Sequence, residues 1–261
     1  MVFQKKRALA LGLAGAWIAA FPFIFRDSYV VSILIMVGIF AILAFSVDLI
    51  LSYAGQMALG HQGFFGLGAY VSGVLSTRYG LPPLVGLLSA ILLTYLVAYV
   101  IGWPALRLKG YYFAIATLAF GLVIQKMFVT LRTFTGGNDG LRGIPPFSIG
   151  PLVFDTDFKY YYLVWVLVFA SLLVFLNIVN SRVGLALRAI KGDEDSAAAM
   201  GIDLPRYKMM AFLLTAGFAG LAGVLYAHYM RFIAPISFSL DVGFMAILAV
   251  FLGGRKQFGE A

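Results

Sequence analysis

The 261-residue chain has no cysteine, only two histidines and only 11% charged residues. Without cysteine it can form no disulfide and no thiolate metal site, and it has no cysteine nucleophile. The histidines, His61 and His228, are far apart in the sequence, and the HExxH string of zinc hydrolases does not occur. We therefore expect no metal site and no cofactor in this chain.

The sequence also lacks the strings with which enzymes bind ATP or activate a serine. No Gly-Lys pair occurs, so the phosphate-binding loop Gly-x4-Gly-Lys-Ser/Thr is absent. The Gly-x-Ser-x-Gly elbow of serine hydrolases is absent as well. We predict a chain that is not an enzyme, and any ATP-driven step would require an ATPase in a separate polypeptide.

What the chain has instead is long apolar runs. Hydrophobic residues make up 62% of it and the mean hydropathy is +0.96, whereas soluble domains are about 45–50% apolar. The runs are continuous rather than alternating, which favours membrane-spanning helices over a β-barrel. We predict an all-α polytopic transmembrane bundle with about eight spans: Ala8–Phe25, Tyr29–Leu51, Met57–Thr77, Leu84–Leu106, Tyr111–Leu131, Tyr160–Val179, Met209–His228 and a short run, Val242–Leu252, that must borrow its flanks or be re-entrant.

The placement of the 19 Lys and Arg residues predicts a cytoplasmic N-terminus, because cytoplasmic loops carry the excess of positive charge. With the N-terminus inside, seven of these residues lie outside and the other twelve inside; the seven are Arg26, Arg78, Lys126, Arg132, Arg142, Lys159 and Arg231. The net charge of +8 is thus a topology signal, and we expect membrane lipid rather than nucleic acid as a partner. Signal peptides also have a basic start and an apolar run, but a second span follows at once, and we interpret Ala8–Phe25 as a retained span.

Residues 181–205 are a charged interruption between two apolar spans. The pattern predicts a first short helix over Leu185–Ile190, a joint at Gly192–Asp193, and a second short helix ended by Gly201. The acids that begin this second helix, Asp193, Glu194 and Asp195, complement its dipole. Periodicity leaves two interpretations open: an ordinary amphipathic loop at the membrane surface, or a helix that docks a partner.

Glycine clusters predict two features of the bundle. Tyr53–Gln56 and the glycines that follow are too polar and flexible for the middle of a helix, so we predict a helix break near 53–63, buried in protein or lining a cavity. Gly217, Gly220 and Gly223 recur every three residues and predict a seam where two helices approach closely.

Polar residues in and near the spans are the candidate pathway residues. Gln56 and His61 flank the predicted break, where freed backbone groups need partners. Asp48 either faces a cavity, or reaches the interface or caps the break. Outside the spans, Asn138 and Asp139 belong to the longest external loop, 132–159, in a glycine-rich stretch typical of a turn.

Four sequence blocks, in one order along the chain, carry a family resemblance. Asp195–Gly201 has the acid, Ala-Ala and Gly pattern of the coupling loop of ATP-binding-cassette (ABC) importer permeases. The longer string SRVGLALRAIKGDEDSAAAMGID closely resembles the M-type permeases of the branched-chain amino acid importers. The blocks Asp48–Tyr70 and Thr135–Ile144 agree with that family, and GRKQFG near the end agrees in part.

The chain departs from the family pattern at a few positions. Leu185 stands where a basic residue is common, and Met57-Ala58 replaces an aliphatic-Ser pair. The family's end block runs on into Gly-Pro and a further span, whereas this sequence stops at Ala261. From this we expect a C-terminally incomplete or altered permease.

The resemblance implies a single permease domain over 1–261, multi-pass in the bacterial inner membrane, that moves branched-chain or related amino acids into the cytoplasm. It implies three kinds of protein partner: cytoplasmic ABC ATPases, a second, H-type permease, and a periplasmic substrate-binding protein at the external loop near Asn138 and Asp139. The ATPases would dock on the coupling loop 181–205. Small residues in the loop would let it pack closely in a groove of the ATPase, and charges around them would fix how the two proteins align. The candidates are Arg188, Asp193, Glu194, Asp195, Ala197, Ala198 and Gly201.

Two other functions stay open at this point. Permeases for urea or short amides share the same sequence blocks. A self-contained secondary transporter would use intramembrane ions and internal repeats, and this sequence offers one deep acid, Asp48, and no clear inverted repeat.

Overall fold

The computed structural model of the protein describes residues 27–108 and 110–253. The predicted span Ala8–Phe25, the basic N-terminus and the GRKQFG block lie outside these ranges. The helices within them are α1 (Ser28–Asp48), α2 (His61–Arg78), α3 (Pro83–Ala105), α4 (Tyr111–Thr130), α5 (Arg132–Thr135), α6 (Asp157–Val179), α7 (Arg182–Gly192), α8 (Glu194–Ala199), α9 (Leu204–Met230) and α10 (Leu240–Leu252). The short strands are β1 (Leu141–Arg142), β2 (Ser148–Ile149), β3 (Leu152–Val153) and β4 (Phe232–Ile233).

Helical segments long and apolar enough to cross a membrane number six in this part of the chain, which confirms an all-α polytopic membrane bundle. They are Ser28–Tyr53, Pro83–Ala105, Tyr111–Thr130, Asp157–Val179, Leu204–Met230 and Pro235–Leu252. The last reaches 18 residues only because a 3-10 turn, Pro235–Phe238, precedes α10, so this short run does borrow its flank. The count of about eight is approximate: it also includes Ala8–Phe25 and α2, whose ends carry His61, Gln62 and Arg78.

Helix boundaries differ from the predicted ones where capping residues decide them. The predicted span Met57–Thr77 begins only at His61, because the break extends to Gly60. The span predicted from Met209 begins five residues earlier, at Leu204, because the Asp203 carboxylate accepts a hydrogen bond from the Arg206 amide (3.2 Å) and Pro205 suits a first helical turn. Hydropathy marks the lipid-spanning part of a helix, whereas its caps lie in more polar sequence.

The centre of the bundle is formed by α2 and α9. Both are buried along most of their length, and they pack against each other. α1 and α3 flank α9, α6 packs outside α1, and α4 packs on α2. α10 lies at the edge beside α1, with only Gly243 and Ala246 buried. Glycine and alanine at the helix crossings and large apolar side chains facing outward are the pattern expected where lipid replaces water.

The predicted glycine seam lies on α9 and contacts two helices. Gly223 faces the backbone of Phe65 and Ala69 on α2, and Gly220 and Gly217 face the side chains of Thr94 and Tyr95 on α3. A glycine of α2, Gly68, meets the backbone of Gly220 from the other side. Backbones can come this close only where neither helix carries a Cβ at the crossing.

The predicted break is present and follows α1. The end of α1 widens into a π-helical turn, Leu49–Tyr53, and residues 54–60 are not helical before α2 starts at His61. Nearby groups serve as hydrogen-bond partners for the freed backbone. The backbone N–H of Gln56 donates to the Ile50 carbonyl (3.1 Å), and the backbone N–H of Leu59 donates to Thr117 Oγ1 (3.0 Å). The break is therefore a packed feature of the bundle, as backbone at membrane depth requires.

One end of the bundle is covered by a cap made of residues 132–156 and 231–238. β1 pairs with β4 (Leu141 opposite Ile233), and β2 pairs with β3. Two arginines fasten the cap: Arg78 Nε donates to the Phe134 carbonyl (2.9 Å), and Arg231 Nη2 donates to the Asp155 carbonyl (3.0 Å). Both belong to the set predicted to lie outside.

Candidate functional site

The opposite end of the bundle carries residues 181–205, here called the two-helix loop. It contains two short helices, α7 and α8, that meet at Gly192–Asp193. Ser181 caps α7 by accepting from the Val183 amide (3.1 Å), and Asp193 caps α8 by accepting from the Ser196 amide (2.7 Å). This backbone hydrogen bond, together with one from the Ser196 side chain, lowers the pKa of the Asp193 carboxyl. The Asp193 carboxylate that caps α8 at this joint is therefore ionised at neutral pH.

Arg188 fastens α7 to the helix before it. Its Nη2 donates to the Val179 carbonyl (3.1 Å) at the end of α6, and its Nε donates to the Gly184 carbonyl (3.2 Å). A guanidinium at a helix C-terminus also complements the helix dipole. Arg188 stays a predicted rim charge for a partner, and its hydrogen bonds within the chain tie the start of α7 to the end of α6.

Lys191 joins the two-helix loop to the helix break. Its Nζ donates to the Ser52 carbonyl (2.8 Å) in the π-helical turn. Its aliphatic stem passes Gly55, where an added Cβ would lie 2.7 Å from Lys191 Cγ, and Gly55 has a positive φ of 67°. The Asp48 carboxylate hydrogen-bonds the Ser52 side chain and lies in the field of the Lys191 ammonium. The loop and the break are therefore one connected unit.

Glu194 also has a partner within the chain. Its Oε1 lies 2.6 Å from Nζ of Lys208 in the first turns of α9, and the Lys208 side chain is only 5% exposed. The sequence pattern placed Glu194 at the rim of the predicted ATPase-docking surface and did not point to Lys208. A lysine directly before the apolar run that begins at Met209 was the available signal, because a cation that is buried there needs a partner.

Replacing Lys208 with methionine is expected to lower the free energy of unfolding by about 2 kcal/mol, because Glu194 would keep its charge in a partly dry site. The change should appear as a lower melting temperature of the purified protein in detergent. The double variant Lys208→Met, Glu194→Gln leaves no unpaired charge and should recover most of the loss. A single variant that melts like the wild type would show that the pair does not stabilise the fold.

The surface of α8 divides into a buried and an exposed face. Ala197 is completely buried against the chain itself, whereas Asp195, Ala198 and Met200 are exposed, Met200 by 70%. Gly201 ends the helix with a φ of +83°, and an added Cβ there would meet no atom within 4 Å. Of the predicted docking residues, Asp195, Ala198 and Gly201 thus lie at the surface with the cap residue Asp193, while Ala197 holds the helix down.

His61 and Gln56 were predicted to flank the break; Gln56 lies within it, and His61 is the first residue of α2 after it. His61 is 3% exposed, and its Nδ1 lies 3.1 Å from the Ala58 carbonyl, which is one of the freed backbone groups. The amide oxygen of Gln56 is buried, and it has no hydrogen-bond partner among the residues that the structure describes. His61 therefore binds the backbone of the break, and the side-chain oxygen of Gln56 is a buried polar atom within it.

Asn138 and Asp139 lie in the cap, at the other end of the molecule. They belong to a 3-10 turn, Gly137–Asp139, flanked by Gly136 and Gly140, both with positive φ. Both side chains are exposed. The glycine-rich stretch therefore forms a turn, as its composition indicates, and presents an amide and a carboxylate outward.

Comparison with known proteins gives matches over nearly the whole chain. A family model described as the permease component of branched-chain amino acid transport systems matches residues 29–261. The high-affinity branched-chain amino acid transport permease proteins LivM of Salmonella typhimurium and Escherichia coli are each 32% identical over 97% of this chain. A probable LivM of Methanocaldococcus jannaschii is 26% identical over 74% of this chain and 60% of its own length. This chain spans 64% of the length of the two bacterial relatives. No solved structure matches.

Proposed function

The chain belongs to the permease components of branched-chain amino acid transport systems, and from this we propose that it is the permease subunit of an ABC importer that moves branched-chain or related amino acids into the cytoplasm. It is a multi-pass membrane protein. The energy comes from ATP hydrolysed by a separate polypeptide, since this sequence has no phosphate-binding loop. It needs no cofactor of its own.

The observation that carries this proposal is the link between the two-helix loop and the helix break. A partner that moves α8 also moves α7, and α7 is bound through Lys191 to the Ser52 carbonyl. The π-helical turn that contains Ser52 leads directly into the break, at the base of the central helix α2. A push on the surface of the loop can thus reach the centre of the bundle through the chain itself and the bond from Lys191 to Ser52.

The remaining parts of the proposal concern surroundings and partners. The two-helix loop faces the cytoplasm of a bacterial inner membrane, where the ATPases dock on its exposed residues. The cap faces the periplasm and receives the substrate-binding protein near Asn138 and Asp139. A second permease of the H type completes the pathway, against one of the exposed apolar faces of α3, α4 or α10.

Co-purification tests the partnership directly. The tagged full-length protein, extracted from the membranes of its own host in mild detergent, should bring down a P-loop ATPase in stoichiometric amount. Ala198 and Ala199 are both exposed. Replacing them with arginine should block the contact between the two-helix loop and the ATPase and so reduce that amount. A complex that transports these amino acids without any associated ATPase would contradict the proposal.

Replacing Gly201 with valine is expected to reduce the amount of substrate moved per ATP hydrolysed by about fivefold, because a β-branched residue at positive φ costs about 1–3 kcal/mol and shifts the end of α8. The matched control is Gly192→Val, since Gly192 is equally open but does not have a positive φ. Uptake and ATPase rates measured side by side decide the outcome. A Gly201→Val protein with both rates unchanged would show that the end of α8 plays no part in coupling.

A further inference from the structure

Gln62 is a buried polar side chain that the fold does not use. It is the second residue of α2 and is 1% exposed. Neither its amide nitrogen nor its amide oxygen has a hydrogen-bond partner among the residues the structure describes. An amide stripped of water without any replacement destabilises a fold, and such groups are rare in proteins. An apolar residue of similar length would suit this packing better, so the amide calls for another explanation.

The amide lies among three glycines from different segments. An added Cβ on Gly121 of α4 would lie 2.6 Å from Gln62 Nε2 and 3.2 Å from the Gly60 Cα. An added Cβ on Gly243 of α10 would lie 2.6 Å from Gln62 Oε1. The amide nitrogen therefore faces Gly121 of α4, which also lies close to Gly60, and the amide oxygen lies under α10.

The same point is the amino-terminal end of a long helix. α2 has 18 residues, and no side chain caps its start at Gly60. The first turn of such a helix carries a partial positive charge, which favours a carboxylate. Of its amides, that of Gly63 donates to the Gly60 carbonyl (3.0 Å). The Gln62 side chain adds a donor to the same end of the helix.

A small cavity lies near this point. Its volume of about 10 Å³ leaves room for roughly one water molecule. It shares Gly60 and Gly121 with the surroundings of the Gln62 amide, and its walls are mostly apolar apart from His61 and Thr117. A carboxylate held at the start of α2 would therefore have mainly apolar surroundings.

α10 closes this place in the described structure. Its Gly243 touches the Gln62 amide, and only Gly243 and Ala246 of α10 are buried. A helix held by so few buried residues can move aside at lower cost than α2 or α9, which are buried along most of their length. Its displacement would uncover the amide.

We propose that Gln62, together with the start of α2, forms a transient binding station for the carboxylate of an aliphatic amino acid as it crosses the bundle, and that α10 covers this station. The station rests on the proposed function, because it needs an amino acid as the transported molecule. Gln62 Nε2 donates to the carboxylate once α10 has moved aside.

The test is to replace Gln62 with methionine, which keeps the length of the side chain and removes the amide. In the complete transporter, leucine uptake per folded complex is expected to fall by about tenfold or more, because hydrogen bonds to a charged group are among the strong ones. The melting temperature should stay equal or rise, since an unpaired buried amide is lost. Gln62→Asn, which keeps an amide on a shorter stem, should retain more uptake than methionine does.

Tyr160→Phe is the matched control, because the buried Tyr160 hydroxyl of α6 already donates to the Leu225 carbonyl (2.6 Å). This variant should melt at a lower temperature but keep its uptake per folded complex. A Gln62→Met complex that melts like the wild type and transports leucine within about twofold of it would overturn the station, while leaving the transport function in place. If the wild-type complex moves no amino acid, the proposed function fails and the station fails with it.

A second measurement tests the carboxylate itself. Leucine at millimolar concentration should raise the melting temperature of the purified transporter without its binding protein, and leucinamide, which lacks the carboxylate, should not. The rise should be absent in Gln62→Met. Equal shifts by leucine in the variant and in the wild type would also overturn the station.

Discussion

Replacing Gly223 with leucine is expected to abolish assembly of the folded bundle. Gly223 faces the Phe65 carbonyl, and an added Cβ would also lie 2.9 Å from the Ala69 amide nitrogen. Both neighbours are backbone of α2, so no side chain can turn away to make room. Even one extra methyl group in such a place costs about 1–3 kcal/mol, and the total stability of a domain is only about 5–15 kcal/mol. A whole leucine side chain must therefore push the two central helices apart.

The measurement is the yield of monodisperse protein in detergent together with its melting temperature. Gly223→Ala should give less protein with a clearly lower melting temperature, and Gly223→Leu should give none that is folded. The control is Gly192→Leu, at a position where an added Cβ meets no atom within 4 Å. If Gly223→Leu and Gly192→Leu melt alike, α2 and α9 do not cross at this glycine.

Replacing Lys191 with methionine is expected to reduce substrate uptake by about tenfold while ATP hydrolysis continues, because the lost bond from a charged donor is worth about 1.5–3 kcal/mol. Methionine keeps most of the aliphatic stem that packs on Gly55. What disappears is the bond to the Ser52 carbonyl (2.8 Å) and the positive charge near Asp48. The two-helix loop would then move without moving the break.

Uptake and ATPase activity of the reconstituted transporter separate this effect from misfolding. Lys126→Met serves as the control, since Lys126 is an exposed lysine on α4, away from the loop. We expect the Lys126 variant to behave like the wild type in both assays. A Lys191→Met transporter with normal uptake per ATP would show that this hydrogen bond does not transmit movement of the two-helix loop to the helix break.

The spans and the break could be predicted from sequence because both depend on local composition. A run of apolar residues must be a helix in lipid, whatever its neighbours are. The glycine-rich stretch after Tyr53 predicts the break for a similar reason, although its exact end at Gly60 depends on contacts with Thr117 of α4. The start of α9 was predicted five residues too late. A helix begins at its capping residue, here Asp203, and a hydropathy pattern does not detect capping residues.

The candidate site was predictable only in part, because its residues act through pairs that are distant in sequence. The two short helices of the loop follow from their own acids and glycines. The role of Lys191 depends on Ser52, which is 139 positions away. Glu194 meets a lysine on another helix, and Gln62 meets glycines of α4 and α10. Composition can mark such residues as unusual, but only the packed bundle shows which of them are paired and which are not.

Uptake of labelled leucine by proteoliposomes is the most direct test of the proposed function. The complete transporter, with its ATPases and a saturated binding protein outside, should accumulate leucine only when hydrolysable ATP is enclosed on the side of the two-helix loop. ATP placed on the side of the cap should have no effect. Equal accumulation without ATP, or with ATP only at the cap, would contradict an importer that is driven through this loop.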